Sequence, residues 1–274
     1  KRQSLSNQKV KKLSAGTKVG TLSVDEMAPE GAYVFSLCTG EGDIHNDYFA
    51  IENGVLKTAK KLEEGKTYTI RLKAKNGEIE KEKVFEIYAV GKGLVFSKEN
   101  QQISVGAPVE LSKEDYAEKL MQLEEGTILV HYTSTSDQGI QSLFSVSNAK
   151  KGNDNRHFHV YIRPEGHLGC EIRNDSALNY GFQTPNAVKS DYKGKPAENT
   201  IAFQADKEKG TYQLFANGKK VLTIDAATLG GYHFISEITG LDTVSLGATK
   251  RGEINKYAFG GTIHKIEVYE TPWT

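Results

Sequence analysis

The chain has 274 residues, with 35 Lys and Arg against 35 Asp and Glu, 38% hydrophobic residues and two cysteines. That length suits one large domain or two ordinary ones. Zero net charge argues against a dedicated nucleic-acid binder, which carries a basic excess, and Cys38 and Cys170 alone exclude a disulfide-rich scaffold or a Cys-based zinc motif.

No apolar run approaches the ~18 residues of a membrane span. With no initiator Met and no signal peptide, a processed or trimmed piece of a larger protein is expected. Residues 1–15, with Lys9, Lys11 and Lys12, read as a solvated lead-in. From there the pattern has period two. Tyr33, Phe35 and Leu37 share one strand face, and Tyr68, Ile70 and Leu72 another. Asn53-Gly54, Asn76-Gly77 and Asn217-Gly218 punctuate alternating runs, the strongest local signal for a β-hairpin. The chain is therefore expected to be all-β and mostly antiparallel. The runs Val19–Val24, Tyr33–Leu37 and Asp47–Thr58 resemble the cadherin-like domains of bacterial surface proteins, so residues 16–92 are expected to form a small cadherin-like or Ig-like β-sandwich. Asp43, Asn46, Asp47, Glu63 and Glu64 are the acidic or amide residues calcium would need to gather. The usual linker motif is missing, and ordinary Asx turns account for them.

Gly91-Lys92-Gly93 marks a boundary, leaving residues 93–274 for a larger sandwich. Ser112 followed by Glu114 and Asp115 reads as a helix start, Ala117, Leu120 and Met121 keep helical spacing, and Gly126 ends it, predicting one short helix over about 113–124. Next comes a pair of strands. Phe158, Val160 and Ile162 face the core, with His159, Tyr161 and Arg163 outward; on the following strand Cys170 and Ile172 face in, with Glu171 and Arg173 outward. Matching faces demand an odd-length turn. Centred on Gly166, it sets Tyr161 opposite Glu171 and His159 opposite Arg173. On their own, Glu171 and Arg173 read as a surface ion pair of little worth. His157 and His159 lack a third ligand at motif spacing, so neither a metal nor a cofactor is expected.

The hairpin, the preceding segment Ser134–Asn148, the early helix, Phe203, Phe215-Ala216-Asn217-Gly218, and the late Leu246-Gly247 strand with Arg251 and Tyr257 together resemble family 40 carbohydrate-binding modules, the sialic-acid-binding lectin domains of many sialidases. The resemblance runs from about Leu94 to Tyr269 and implies a concanavalin-type jelly roll. It marks Ile140, Tyr161, Glu171, Arg173, Arg251 and Tyr257 as ligand-binding residues. Each suits a sialic acid. Two arginines can fork onto its carboxylate, where planar bidentate geometry favours Arg over Lys. Glu171 can accept from the acetamido N–H or a hydroxyl, and can orient an arginine. Ile140 and the tyrosines can cover the acetyl methyl and the sugar face.

The resemblance implies a non-catalytic module that takes a bacterial sialidase or surface adhesin to sialylated glycans such as mucins. It would be extracellular, secreted or cell-wall attached, and monomeric, with no nucleic-acid partner and no membrane insertion. The alternative is a concanavalin-like module that recognises a neutral glycan or a protein. Enzyme activity is not expected. Ser136-Asp137-Gln138-Gly139-Ile140-Gln141-Ser142-Leu143 imitates one sialidase Asp box but lacks its Thr-Trp and occurs once, and no hydrolase or nucleotide motif appears.

Overall fold

The computed structural model describes residues 2–25, 33–77, 79–151 and 155–273. Its chain divides into two compact units, 1–93 and 94–274. The first is a sandwich of two four-stranded sheets, one ordered Gln3–Leu5, Lys18–Val24, Val55–Thr58, Phe49–Glu52, the other Lys9–Val10, Ile79–Ala89, Thr67–Asn76, Val34–Leu37. Period-two alternation predicts its core: Tyr68, Ile70 and Leu72 are buried with Leu56, Phe85 and Ile87. Asn53 and Gly54 both take positive φ, as a two-residue hairpin turn requires, and join Phe49–Glu52 to Val55–Thr58.

The lead-in expectation fails here. Gln3–Leu5 pairs with Lys18–Val24, Lys9–Val10 runs parallel to Tyr88-Ala89, and both Gln3 and Val10 are buried. The lysine-rich composition concealed two short strands whose inward side chains complete the sandwich. The acidic candidates do not converge. Asp43 accepts from the Gly40 N–H, Asp47 pairs with Lys60, Asn46 bonds Cys38 and Arg71 backbone, and Glu64 accepts from the Gly93 N–H.

The second unit packs two six-stranded antiparallel sheets. One runs Val109–Glu110, Thr243–Leu246, Gln141–Ser147, Arg156–Ile162, Leu168–Asn174, Leu178–Gln183. The other runs Lys219–Asp225, Thr211–Ala216, Ala197–Asp206, Gly126–Ser134, Gly261–Tyr269, Leu94–Ile103. Between them lie Val130, Tyr132, Phe158, Val160, Ile172, Phe203 and Ile266. Phe158 meets Phe203 and Phe234 with ring centroids 5.3 and 5.1 Å apart, in the tilted and edge-on arrangements aromatic pairs favour.

The predicted helix is shorter and broken. A 3-10 turn over Lys113–Asp115 and a single helical turn over Ala117–Leu120 are separated by Tyr116 at φ +59°. The Asp115 carboxylate accepts from the Ser112 N–H, so the start was legible. Ala117 and Leu120 are buried, but exposed Tyr116 turns left-handed, and so short an apolar stripe cannot carry the helix through it.

Candidate functional site

The hairpin of Arg156–Ile162 and Leu168–Asn174 supplies the wall of the site. The turn has odd length, as the burial pattern requires: Ile162 pairs with Leu168 and the Arg163 N–H donates to the His167 carbonyl. The turn is centred on Glu165, at φ +69°, and not on Gly166. Glu171 therefore faces His159, Arg173 faces His157, and Tyr161 faces Gly169. The predicted pairings of Tyr161 with Glu171 and of His159 with Arg173 are corrected by one register step of two residues, which leaves every side chain on its expected face.

The expected outward face is largely covered. A two-stranded ribbon, Thr249–Arg251 paired with Ile254–Lys256, follows the sheet in the chain, and Tyr257 stands at its exit. His157 and His159 are fully buried and Tyr161 nearly so, so the outward face that the alternation assigns to His159 and Tyr161 is covered and not solvated. The Tyr257 ring stacks on His159 at 5.1 Å and 27°, and Tyr161 lies on its neighbouring side at 4.9 Å and 38°. Tyr257 holds φ +58°, a conformation costly for a bulky residue and typical of positions fixed by function.

A hydrogen-bonded chain runs beneath these rings. Thr249 Oγ1 lies 2.7 Å from Ser142 Oγ, which lies 2.6 Å from His159 Nδ1; His159 Nε2 reaches Glu171 Oε1 at 3.1 Å. Burial pushes the His159 imidazole down to about 4, overriding the pull of Glu171. The ring is thus neutral at pH 7, with Nε2–H donating to Glu171 and Nδ1 accepting from Ser142. Burial acts to raise the Glu171 carboxyl, but the adjoining imidazoles of His157 and His159, with the hydrogen bond from His159, outweigh it and hold it well below the usual carboxylate range. Glu171 is therefore an oriented anion. His157 Nε2 stands 3.6 Å and Arg173 Nη1 4.0 Å from its Oε2.

Both predicted arginines belong to this group. Arg251 donates from Nη1 to Tyr257 Oη at 3.1 Å and from Nη2 to Asn155 Oδ1 at 3.4 Å. Arg173 is three-quarters buried, and its Nε is buried with no hydrogen-bond partner among the described residues. A buried guanidinium N–H without an acceptor is costly unless a ligand supplies one. Ile140 is half-buried in the bend leading into Gln141–Ser147, tied to the group through Ser142, whose N–H donates to the Tyr257 carbonyl. The arrangement can hold a carboxylate with guanidinium groups and cover a small apolar group with tyrosine rings.

Sequence reasoning missed His159, Ser142, Thr249, Asn155 and Gly169. Gly169 is required by contact: a Cβ there would run into the ring of Tyr161. The signal was present in the outward position of His159, but nothing in the sequence said that the ribbon would cover it. The sequence reading expects no metal, yet the fold assembles two groups of two histidines and a glutamate. One is His157, His159 and Glu171, and the other is His131, Glu198 and His264.

Comparison with known proteins matches the family described as "Sialidase, N-terminal domain" to residues 94–274. Over 182 residues, 66% of this chain and 24% of the relative, it is 43% identical to anhydrosialidase from the leech Macrobdella decora. The solved structure of the Ruminococcus gnavus IT-sialidase CBM40 bound to α2,6 sialyllactose is 45% identical, covers 66% of this chain and 95% of its own, and superposes with a TM-score of 0.62. The same module bound to α2,3 sialyllactose is 43% identical over 66% of this chain and 95% of its own, at 0.61. The chain spans about a quarter of the length of the curated relatives it matches.

Proposed function

Because the chain belongs over residues 94–274 to the sialidase N-terminal domain family, a binding module and not the catalytic domain, we propose that its hairpin face binds terminal sialic acid. Arg173 and Arg251 grip the sugar carboxylate, Glu171 accepts from its acetamido N–H or a hydroxyl, and Ile140, Tyr161 and Tyr257 cover the acetyl methyl and the ring. The observation that carries this reading is the buried Arg173 Nε, without a hydrogen-bond partner among the described residues, in a group whose second guanidinium is held by Tyr257. Residues 1–93 act as a spacer, and the parent protein is an extracellular sialidase or adhesin, secreted or attached to the cell wall.

One shallow site gives a Kd of ~0.1–1 mM, about −4 to −5.5 kcal/mol, which multivalent display on mucin-type glycans multiplies. Titration with α2,3- and α2,6-sialyllactose gives saturable binding, and lactose gives none. Arg173→Ala or Arg251→Ala costs about 2–3 kcal/mol, a charge-assisted hydrogen bond lost. Binding of sialyllactose undiminished in Arg173→Ala, or equal binding of lactose, moves the assignment to a neutral-glycan or protein-binding module. A fluorogenic sialoside is left intact.

A further inference from the structure

The sheet opposite the hairpin carries a second constellation. His131 on Gly126–Ser134, Glu198 on Ala197–Asp206 and His264 on Gly261–Tyr269 offer ligand atoms within 4.8 Å of one another. Their convergence has a backbone cause. Thr127 to His131 pair with Tyr269 to Lys265 in regular register, and Tyr132 then pairs with Ile263, so His264 is an inserted residue. This β-bulge turns two consecutive residues outward, His264 and Lys265, while Ile263 and Ile266 stay in the core. Without the bulge the alternation of the strand would allow only one of them on that face.

We propose that His131, Glu198 and His264 form a binding site for a divalent transition metal of the zinc class. Two imidazoles and one carboxylate match the donor preference of Zn²⁺, Ni²⁺ and Cu²⁺ and not that of Ca²⁺, which needs about six oxygens. His131 Nε2 and Glu198 Oε1 already meet at 2.6 Å, and the His131 and His264 rings stand 4.7 Å apart. Around a tetrahedral ion with bonds of about 2.0–2.2 Å, ligand atoms are roughly 3.3–3.5 Å apart. Rotation of the exposed Glu198 side chain and small movements of the two rings meet that spacing. His264 would exchange its 2.6 Å contact with the Thr133 hydroxyl, and water completes the coordination. The adjacent cation, Lys265, is engaged by Glu99 and Glu267. The other trio, His157, His159 and Glu171, is built differently: both its histidines are fully buried, His159 uses both ring nitrogens, and Arg173 stands against the carboxylate.

The test is titration of the full 274-residue chain with ZnCl2, then CaCl2, followed by calorimetry and by the imidazole ¹H–¹⁵N signals. One equivalent of zinc binds, shifts the His131 and His264 signals and leaves His159 unmoved, whereas calcium has no effect. His131→Gln, His264→Gln and Glu198→Gln each weaken zinc binding by more than the roughly tenfold that loss of an outer-shell partner costs, with unchanged circular dichroism and unchanged sialyllactose binding. Absence of zinc binding up to about 1 mM, or binding that survives both histidine substitutions, overturns the proposal.

Discussion

At the scale of the residue, His159 organises the hairpin wall proposed to bind glycan. It stacks under Tyr257, flanks Tyr161 and orients Glu171, and it is neutral because it is buried. Its folded pKa of about 4 lies below the ordinary 6.5. The unfolded chain therefore takes up the proton first as pH falls, and stability present above pH 6.5 is lost between about 6.5 and 4. Thermal unfolding measured across that window shows a falling Tm for the parent chain and a flatter profile for His159→Gln. A second residue-scale prediction concerns Gly169. The Tyr161 ring occupies the space a Cβ would need, so Gly169→Ala displaces the ring and weakens sialyllactose binding at least ~10-fold, a loss of about 1.4 kcal/mol. Once Tyr161→Ala has removed the ring, adding Gly169→Ala costs no further stability. The family pattern singled out the charged and aromatic residues that the fold brings together on this wall. Gly169 was not legible in the sequence, because its requirement comes from a side chain on the neighbouring strand.

At the scale of the element, burial fixed parity and turn chemistry fixed register. Phe158, Val160, Ile162, Cys170 and Ile172 demand matching inward faces, and an even-length turn would have exposed half of them. The choice between centring on Glu165 or Gly166 lay in local backbone. Pro164 begins a 3-10 turn, and Glu165, not the glycine alone, takes a positive φ. The bulge at His264 was equally hidden, since a one-residue insertion leaves the apolar pattern nearly intact. The ribbon contributes through Thr249, whose hydroxyl anchors the Ser142–His159–Glu171 chain. Thr249→Val leaves Ser142 Oγ one partner short in a buried site and costs about 1–2 kcal/mol. Chemical denaturation measures that loss, and sialyllactose titration shows weaker binding in the same variant.

At the scale of the whole molecule, each unit owns its core. A fragment of residues 94–274 folds alone and binds sialyllactose with the affinity of the full chain, as far-ultraviolet circular dichroism and titration report. Removing residues 1–10 unfolds the first sandwich at lower denaturant, because the strands around Gln3 and Val10 go with them. The cysteines divide in the same way. Both are free thiols. Cys170 is fully buried, and burial pushes its thiol well above the ordinary value. Iodoacetamide labels the partly exposed Cys38 in the native chain and reaches Cys170 only on unfolding. The boundary and the two sandwiches were legible because alternation and Gly-rich punctuation are local signals. The sheet-forming lead-in was not, since its short strands depend on distant partners.

The chain of hydrogen bonds beneath the tyrosine rings gives the glycan a surface fixed before arrival. On the proposed binding mode the side chains of this chain are set before a sugar arrives, and encounter at an ordinary association rate of about 10⁷ M⁻¹s⁻¹ is expected. At the proposed Kd of ~0.1–1 mM a single sugar would then stay for roughly a millisecond or less. If the proposed function holds, a protein displaying several such sites would release and recapture neighbouring termini continually, and so would move across a sialylated layer while staying within it.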